Sequence, residues 1–146
     1  MKKKIAVISM GVKLNGEKGY SRFRYIGDFL SDAGYQVDLI TTTFQHWEKA
    51  QRDIDAIKKE DYKFRLKFIY EPGYRKNIDL RRIRSHSIAA KNLTRLLHEE
   101  GDYDLIYCEI PPNDVALAAA EYAKEKGIPF VPDVNDLWPE AMRMVL

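Results

Sequence analysis

The chain has 146 residues, of which 45% are hydrophobic and 32% are charged. A chain of this length and composition can bury a core of its own, which excludes a disordered or fibrous protein. Its 24 basic residues stand against 22 acidic ones, and a net charge of +2 argues against a protein that binds nucleic acid along its whole surface.

Two features predict a cytoplasmic protein. Cys108 is the single cysteine, so no internal disulfide can form and a reducing compartment is the natural setting. The basic start resembles the first part of a signal peptide, but the apolar run that follows ends after Ile8. That run is too short for the apolar region of a signal peptide or for a membrane span.

The first forty residues have the pattern of a β-α-β unit. The β-branched run KIAVIS at 4–9 is typical of a buried parallel strand. After a loop with three glycines, apolar residues from Phe23 to Ala33 repeat at helical spacing, with Ser21 as the expected N-cap and Gly34 as the C-cap. A second strand, QVDLIT, follows at 36–41. The two strands should be parallel and joined by a right-handed crossover.

The rest of the chain alternates strands with helices. We expect Pro132 to end the last strand, because proline cannot donate to a strand ladder. About five strands separated by helices predict a doubly wound, mostly parallel α/β sheet in a Rossmann-like single domain. The predicted strands are 64–70, 103–108 and 128–131, and the predicted helices are 53–60, 80–100, about 115–126 and a helix beginning near 138.

Ligands of open parallel sheets bind outside the carboxyl ends of the strands. The glycine loop after the first strand is one candidate, but it fits neither known phosphate motif. A Walker loop requires Gly-Lys followed by Ser or Thr, but here Glu17 precedes Lys18 and Gly19 follows it. A dinucleotide-binding loop requires three spaced glycines and an acid after the second strand. Only Gly16 and Gly19 have a matching spacing, and threonines occupy 41–43. A flexible loop leading into a helix N-terminus remains, which suits an anion. The alternative is a loop that needs glycine only to turn.

The segment DVNDLWPE at 133–140 is the more specific candidate. It places three carboxylates and a tryptophan after a buried strand, and such groups bind sugar hydroxyls and stack on sugar faces. Alternatively, Asp136 caps a helix and Glu140 lies in its first turn beside the helix dipole. Both interpretations can hold together.

DVNDLWPE resembles the DVRDLWPE segment in the N-terminal domains of GT-B fold glycosyltransferases of the family 4 type, including enzymes of bacterial capsule, O-antigen and exopolysaccharide assembly. KIAVIS with the Gly16 and Gly19 loop, and the helix with Arg22 and Arg24, resemble that family's first strand, loop and helix. QVDLITTTFQHWEK and DLIYCEIPP resemble two further strands with their following segments. The resemblance covers nearly all of the chain.

This resemblance implies two Rossmann-like domains that face a cleft. Residues 1–146 would be the acceptor-side domain, truncated before the donor-binding C-terminal domain of the same polypeptide, and inactive alone. The implied reaction moves a sugar from a nucleoside-diphosphate sugar to a glycan or lipid-linked acceptor with retention at the anomeric carbon. It implies neither a metal nor a cofactor.

The resemblance also assigns roles to residues. Gly16 and Gly19 would approach the donor phosphates, and Asp136 would be the catalytic or cleft-orienting acid. Asn135 stands where relatives have histidine or arginine, which argues against a catalytic role there. The acceptor side of the cleft would consist of Glu109, Asp133, Asn135, Trp138 and Glu140.

A basic cluster precedes and begins the helix at 80–100. Arg81, Arg82 and Arg84 predict contact with an anionic membrane surface, at its cytoplasmic face, or with a lipid-pyrophosphate acceptor. The alternative is a solvated helix start.

Other function classes remain as rivals or are disfavoured. The three histidines, His46, His86 and His98, lack metal-ligand spacing, so no metal site is expected. The rivals to a glycosyltransferase domain are a stand-alone flavodoxin-like binding module and a non-catalytic sugar-phosphate binding subunit.

Overall fold

A computed structural model describes residues 1–137. Trp138, Glu140 and the helix expected at 138–146 lie outside the described residues. In the described part, the strands are β1 Lys4–Ile8, β2 Gln36–Thr42, β3 Phe44–Gln45, β4 Ala50–Gln51, β5 Arg65–Ile69, β6 Leu105–Ile110 and β7 Phe130–Val134, and the helices are α1 Arg22–Asp32, α2 Ile54–Lys58, α3 Leu80–Glu100 and α4 Asn113–Lys126.

Five strands form one parallel sheet in the order β5-β2-β1-β6-β7. The predicted doubly wound parallel sheet is therefore confirmed. By sequence rank the order is 3-2-1-4-5, which is the Rossmann arrangement. A flavodoxin-like sheet has the order 2-1-3-4-5, so the flavodoxin-like alternative is wrong at the level of topology.

Helices cover both faces of the sheet, because each face of a buried parallel sheet must be shielded from water. On one face, Phe23 of α1 and Ile57 of α2 pack on residues of β1 and β2. On the other face, Leu93 of α3 and Ala119 of α4 pack with Ile106 of β6. This sandwich holds the carboxyl ends of the strands in fixed positions.

The last strand departs from its prediction. It runs from Phe130 to Val134 and passes through Pro132, so the expectation that Pro132 ends it is wrong. Proline is tolerated because, among the described residues, β7 is an edge strand with β6 as its one neighbour, so an N–H on its outer side has no described strand to bond. The β3–β4 hairpin was not predicted.

The sheet order creates a crevice beside β1. The chain leaves β1 toward β2 on one side and later returns to β6 on the other, so the loops after β1 and β6 diverge. Part of the glycine loop packs into the core there, because Val12 and Leu14 are fully buried and Lys13 N–H bonds to the Tyr20 carbonyl.

Candidate ligand-binding cleft

A cavity of about 410 Å³ opens at the carboxyl end of the sheet. Its walls come from the segments after β1, β2, β5, β6 and β7 and from the starts of α1 and α3. The position is the one that parallel-sheet topology favours for ligands, and the volume suits a small organic molecule.

Glu109 lines the cavity from the end of β6, beside β1. The Ser9 hydroxyl donates to Glu109 Oε2 over 3.0 Å, and the Gly11 N–H also bonds to this carboxylate. Burial raises the Glu109 pKa to about 7, because the lost hydration outweighs these bonds and the nearby Arg22. A carboxyl group with such a pKa exchanges a proton near neutral pH.

Asp133 joins the end of β7 to the start of α1. Arg22 Nη2 lies 2.6 Å from Asp133 Oδ1, and the Tyr107 hydroxyl donates to Asp133 Oδ2 over 2.6 Å. Arg22 also donates to the Asn135 side-chain oxygen. Both Asp133 oxygens therefore have protein partners, and Asn135 and Asp136 are the members of this segment that line the cavity.

An aromatic rim borders the same cavity. Tyr20 and Trp47 meet edge to face with ring centroids 5.2 Å apart, and Trp47 is 45% exposed. Gly19 makes this packing possible, since a Cβ on it would lie 2.7 Å from the indole ring. An indole that is half exposed beside a cavity offers an apolar face and an N–H donor to a ligand.

Basic side chains surround Tyr74 in the part of the cavity that is formed by the segments after β2 and β5. The Tyr74 hydroxyl lies 2.6 Å from His46 Nδ1, and the His86 ring lies 5.7 Å from the Tyr74 ring. The Arg82 guanidinium and Lys49 Nζ lie 5.3 and 5.5 Å from the same ring centroid. We refer to His46, Lys49, Arg82 and His86 as the basic quartet.

The surroundings of the basic quartet disfavour the charged forms of His46, Lys49 and His86. Burial first, and then the neighbouring cations, lower the pKa of both His46 and His86 to about 4. The pKa of Lys49 is also lowered, by burial and by Arg82. Both imidazoles are therefore held in the neutral form near pH 7.

Glu71 is an acidic group that lies beside the basic quartet. It is 2% exposed, accepts a hydrogen bond from the Ser85 hydroxyl over 2.8 Å, and lies 4.0 Å from His86 Nε2. Burial raises the pKa of Glu71, which opposes its ionisation.

Arg52 binds the backbone of segments that line the cavity. Its fully buried guanidinium donates to the backbone carbonyls of Thr42, Met10 and Val12, and it pairs with Glu17. The side chain thus ties the glycine loop to β2. Sequence reasoning missed it, because Arg52 lies in a polar segment without helical or strand periodicity.

The remaining residues that were predicted for the site lie in different parts of the structure. The glycine loop contributes Gly11 and Tyr20 to the cavity, whereas Gly16 adopts φ +78° in open space and Gly19 backs Trp47. Asp136 is exposed and lines the cavity.

The three arginines of the predicted surface patch face different environments. Arg82 lines the cavity, whereas Arg81 and Arg84 are exposed on the same helix.

His46, Glu71, Tyr74 and His86 were not predicted as site residues. Their position in the sequence could have indicated three of them, because His46, Glu71 and Tyr74 follow β2 or β5, where ligands of such sheets bind. His86 gave no such signal, because it lies on a helix 40 residues after His46 in the chain.

Residues 1–137 hold no group of three or more potential ligands arranged for a metal ion. Within the same range, no helix has the length and hydropathy needed to cross a bilayer.

Comparison with solved structures identifies the fold. The chain is similar to the C-terminal domain of PF1911 hydrogenase from Pyrococcus furiosus, with a TM-score of 0.62 and 21% identity over 91% of this chain and 94% of that one. It is also similar to LpCGTa in complex with UDP, with a TM-score of 0.61 and 14% identity over 92% of this chain and 30% of that one.

A third similar structure is a UGT transferase from Siraitia grosvenorii in complex with UDP, with a TM-score of 0.53 and 14% identity over 90% of this chain and 27% of that one. No protein-family model matches the sequence, and no curated protein matches it significantly. At these identities the likeness shows a shared Rossmann-like fold, and the chain spans less than a third of each UDP-bound neighbour.

Proposed function

We propose that this chain is the acceptor-side domain of a GT-B glycosyltransferase, which moves a sugar from a nucleoside-diphosphate sugar to a glycan or lipid-linked acceptor with retention. Two structural neighbours are glycosyltransferases with bound UDP, which supports this class. The DVNDLWPE segment supports the family 4 type. A donor-binding domain of the same polypeptide would close over the cavity.

The observation that carries the proposal is the composition of the cavity. A half-exposed indole, Trp47, borders a hollow that also contains the carboxyl groups of Glu109 and Asp136. Aromatic faces with nearby hydrogen-bonding groups match the apolar faces and hydroxyls of a sugar. The hollow opens where the topology of parallel sheets places ligands.

In this proposal the chain's own residues position the acceptor. Asp136 accepts a hydrogen bond from an acceptor hydroxyl, and the Arg22–Asp133 pair holds the segment that carries Asp136. Glu109, with its pKa near 7, takes up or releases a proton at the cavity wall. Closure by a second domain excludes water and strengthens these interactions. The donor's departing diphosphate is stabilised by groups of the second domain and by the helix N-terminus after the glycine loop.

The test is a screen of nucleoside-diphosphate sugars on the complete natural polypeptide, with release of nucleoside diphosphate as the readout. We expect turnover with at least one donor, and Asp136→Asn should lower it about a hundredfold, as the loss of a group that orients the substrate does. Glu121→Gln, an exposed change on α4, is the matched control.

Two outcomes would contradict the proposal. Absence of turnover with every donor, in the presence of lipid and glycan acceptors, would favour a non-catalytic sugar-phosphate binding subunit. Full activity of Asp136→Asn would remove Asp136 from the acceptor site while leaving the reaction class intact.

We also propose that the start of α3 contacts an anionic membrane surface. Ile78, Leu80 and Ile83 are 61, 82 and 63% exposed, and the basic residues Arg81 and Arg84 are exposed between and beside them. Apolar side chains among basic ones suit the interface of an anionic bilayer, where each basic residue contributes about 1 kcal/mol.

Binding to phosphatidylserine vesicles tests this surface. Arg81→Ser with Arg84→Ser should weaken binding about thirtyfold, since about 2 kcal/mol is lost. The control replaces Lys91 and Arg95, exposed residues farther along the same helix, and changes the net charge equally. Equal loss in both double variants would indicate attraction by net charge alone and would reject a specific surface.

A further inference from the structure

His46 and Tyr74 form a hydrogen-bonded pair on the wall of the cavity. The Tyr74 hydroxyl lies 2.6 Å from His46 Nδ1, and the centroids of the two rings are 5.9 Å apart. Tyr74 is 6% exposed, so its hydroxyl proton needs an acceptor within the protein. The pair also joins the segment after β2 to the segment after β5.

This hydrogen bond fixes which nitrogen of His46 carries the proton. Burial raises the pKa of Tyr74 to about 12 and lowers the pKa of His46 to about 4, so near pH 7 the hydroxyl keeps its proton and the imidazole is neutral. A neutral imidazole has one acceptor nitrogen and one N–H. The opposite tautomer would turn the buried hydroxyl proton away from its partner. The hydrogen-bond network therefore assigns the acceptor role to Nδ1 and the N–H to Nε2.

Hydrogen bonds also hold the main chain around this imidazole. Lys49 Nζ donates to the His46 carbonyl over 2.6 Å, and the Trp47 backbone N–H donates to the side-chain oxygen of the buried Gln45 over 2.7 Å. Together with the bond from Tyr74, these contacts give the Nε2–H a defined direction before a ligand arrives, which lowers the entropic cost of binding.

The indole of Trp47 lies beside the imidazole of His46. The two ring centroids are 5.4 Å apart. Tyr20 packs edge to face against the indole, Gly19 lies against its pyrrole edge, and 45% of Trp47 remains exposed. A stacking surface and an N–H donor therefore border the same part of the cavity.

We propose that His46 is a specificity-determining residue, whose Nε2–H donates to a hydroxyl of an acceptor sugar stacked on Trp47, and that Tyr74 is the positioning residue that fixes this tautomer. That the ligand is an acceptor sugar rests on the proposed function. Glu109 and Asp136 supply acceptors for sugar hydroxyls in the same cavity, and the imidazole supplies a complementary donor. A site with such a donor rejects analogues that lack the hydroxyl, because the donor then loses its partner.

Long-range 1H–15N correlation NMR on the 146-residue chain tests the role of Tyr74. At pH 7 His46 should show a proton on Nε2 and none on Nδ1. Tyr74→Phe should give a mixture of tautomers, whereas Tyr70→Phe, the same change at an exposed position just after β5, should leave the His46 signals unchanged. His98 is an internal reference for a protonated Nδ1, because this nitrogen donates to the Thr94 carbonyl.

Two variants of His46 separate ligand binding from structural support. Glutamine places its amide nitrogen close to the position of Nε2, so His46→Gln keeps the donor for the ligand but removes the partner of Tyr74. Asparagine places its amide group close to the position of Nδ1, so His46→Asn keeps a partner for Tyr74 but removes the donor.

The expected order of the two variants follows from the lost hydrogen bond. With the complete polypeptide and its acceptor, His46→Asn should raise the KM for the acceptor about tenfold, whereas His46→Gln should raise it about twofold or less. A merely structural role of His46 gives the reverse order, because His46→Gln is then the more damaging change.

Methyl glycosides of glucose, galactose and mannose test the class of ligand on the 146-residue chain. At millimolar concentrations, at least one of them should shift the Nε2 signal of His46 and the indole N–H signal of Trp47. His98, which pairs with Glu125 away from the cavity, should not shift.

Three results would overturn the proposal. They are a proton on His46 Nδ1 in the wild type, a higher KM for His46→Gln than for His46→Asn, and unchanged His46 and Trp47 signals with all three glycosides. Glycoside binding at His46 without sugar transfer by the complete polypeptide would keep the hydroxyl-binding role and reject the glycosyltransferase function. Sugar transfer with the same KM in His46→Asn as in the wild type would keep that function and reject the role of His46.

Discussion

Arg22 and Asp133 are 111 residues apart in the chain, and their side chains meet with Arg22 Nη2 2.6 Å from Asp133 Oδ1. The pair connects the start of α1, where Arg22 lines the cavity, to the end of β7. Arg22 also donates to the Asn135 side chain, so this one guanidinium binds two side chains of the segment that leads to Asp136.

Arg22→Met should loosen that segment while changing global stability little. The arginine side chain is 48% exposed, so solvent screens the ion pair and its loss should cost below about 1 kcal/mol. Hydrogen exchange should become faster at residues 133–137 and stay unchanged in β1. Arg95→Met, an exposed change on α3, is the control, and unchanged exchange at 133–137 in Arg22→Met would contradict this role.

Glu109 should make the stability of the protein fall with rising pH. Its pKa is raised from 4.5 to about 7 in the folded state, so between these values the folded state binds more protons than the unfolded state. Stability is therefore lost as the pH rises through this window, by on the order of 3 kcal/mol.

Glu109→Gln should remove this loss, because a neutral amide still bonds to Ser9 and does not ionise. Urea unfolding at pH 8 should show a more stable variant, and at pH 4.5 the variant and the wild type should be about equal. Glu121→Gln, on the exposed face of α4, should behave as the wild type at both values. A variant that is less stable than the wild type at pH 8 would show that the ionised carboxylate is stabilising.

Arg52→Met should be strongly destabilising. It leaves Glu17 without its cation and three buried backbone carbonyls without a donor, and breaking such a buried pair costs about 3–5 kcal/mol. Arg52→Lys should recover little of this, because a single ammonium cannot reach all the acceptors of the planar guanidinium. Denaturant unfolding gives the difference, and stability close to that of the wild type would show that water replaces the guanidinium.

Gly16 and Gly19 of the glycine loop should respond differently to substitution by alanine. Gly16→Ala should cost about 1–2 kcal/mol from its positive φ alone, since no atom lies within 4 Å of the added Cβ. Gly19→Ala should cost more, because its φ is +121° and the Cβ would push against Trp47.

Tryptophan fluorescence in a Trp138→Phe background isolates Trp47, because the chain has two tryptophans. The emission should change in Gly19→Ala and remain constant in Gly16→Ala. A larger loss of stability in Gly16→Ala than in Gly19→Ala would contradict the packing between Gly19 and Trp47.

The sequence by itself determined the layers and the sheet of this protein. Buried parallel strands, helical periodicity and glycine caps are local signals, so the helix at 80–100 and the parallel pairing of β1 with β2 followed from short stretches of residues. The rule that ligands bind beyond the carboxyl ends of such strands then located two of the segments that line the cavity, the glycine loop and the residues after β7. The prediction that Pro132 ends the last strand was wrong because the sequence does not show that β7 is an edge strand, where proline is tolerated.

Only the tertiary structure decided which side chains meet. His46 and His86 share the ring of Tyr74 because the strand order places the loops after β2 and β5 beside the start of α3. The local periodicity of a sequence carries no information about such long-range contacts. The burial that lowers the pKa of both histidines exists only after the sheet has formed. The choice of Arg82 for the cavity, over Arg81 and Arg84, depended likewise on the rotation of α3 against the sheet.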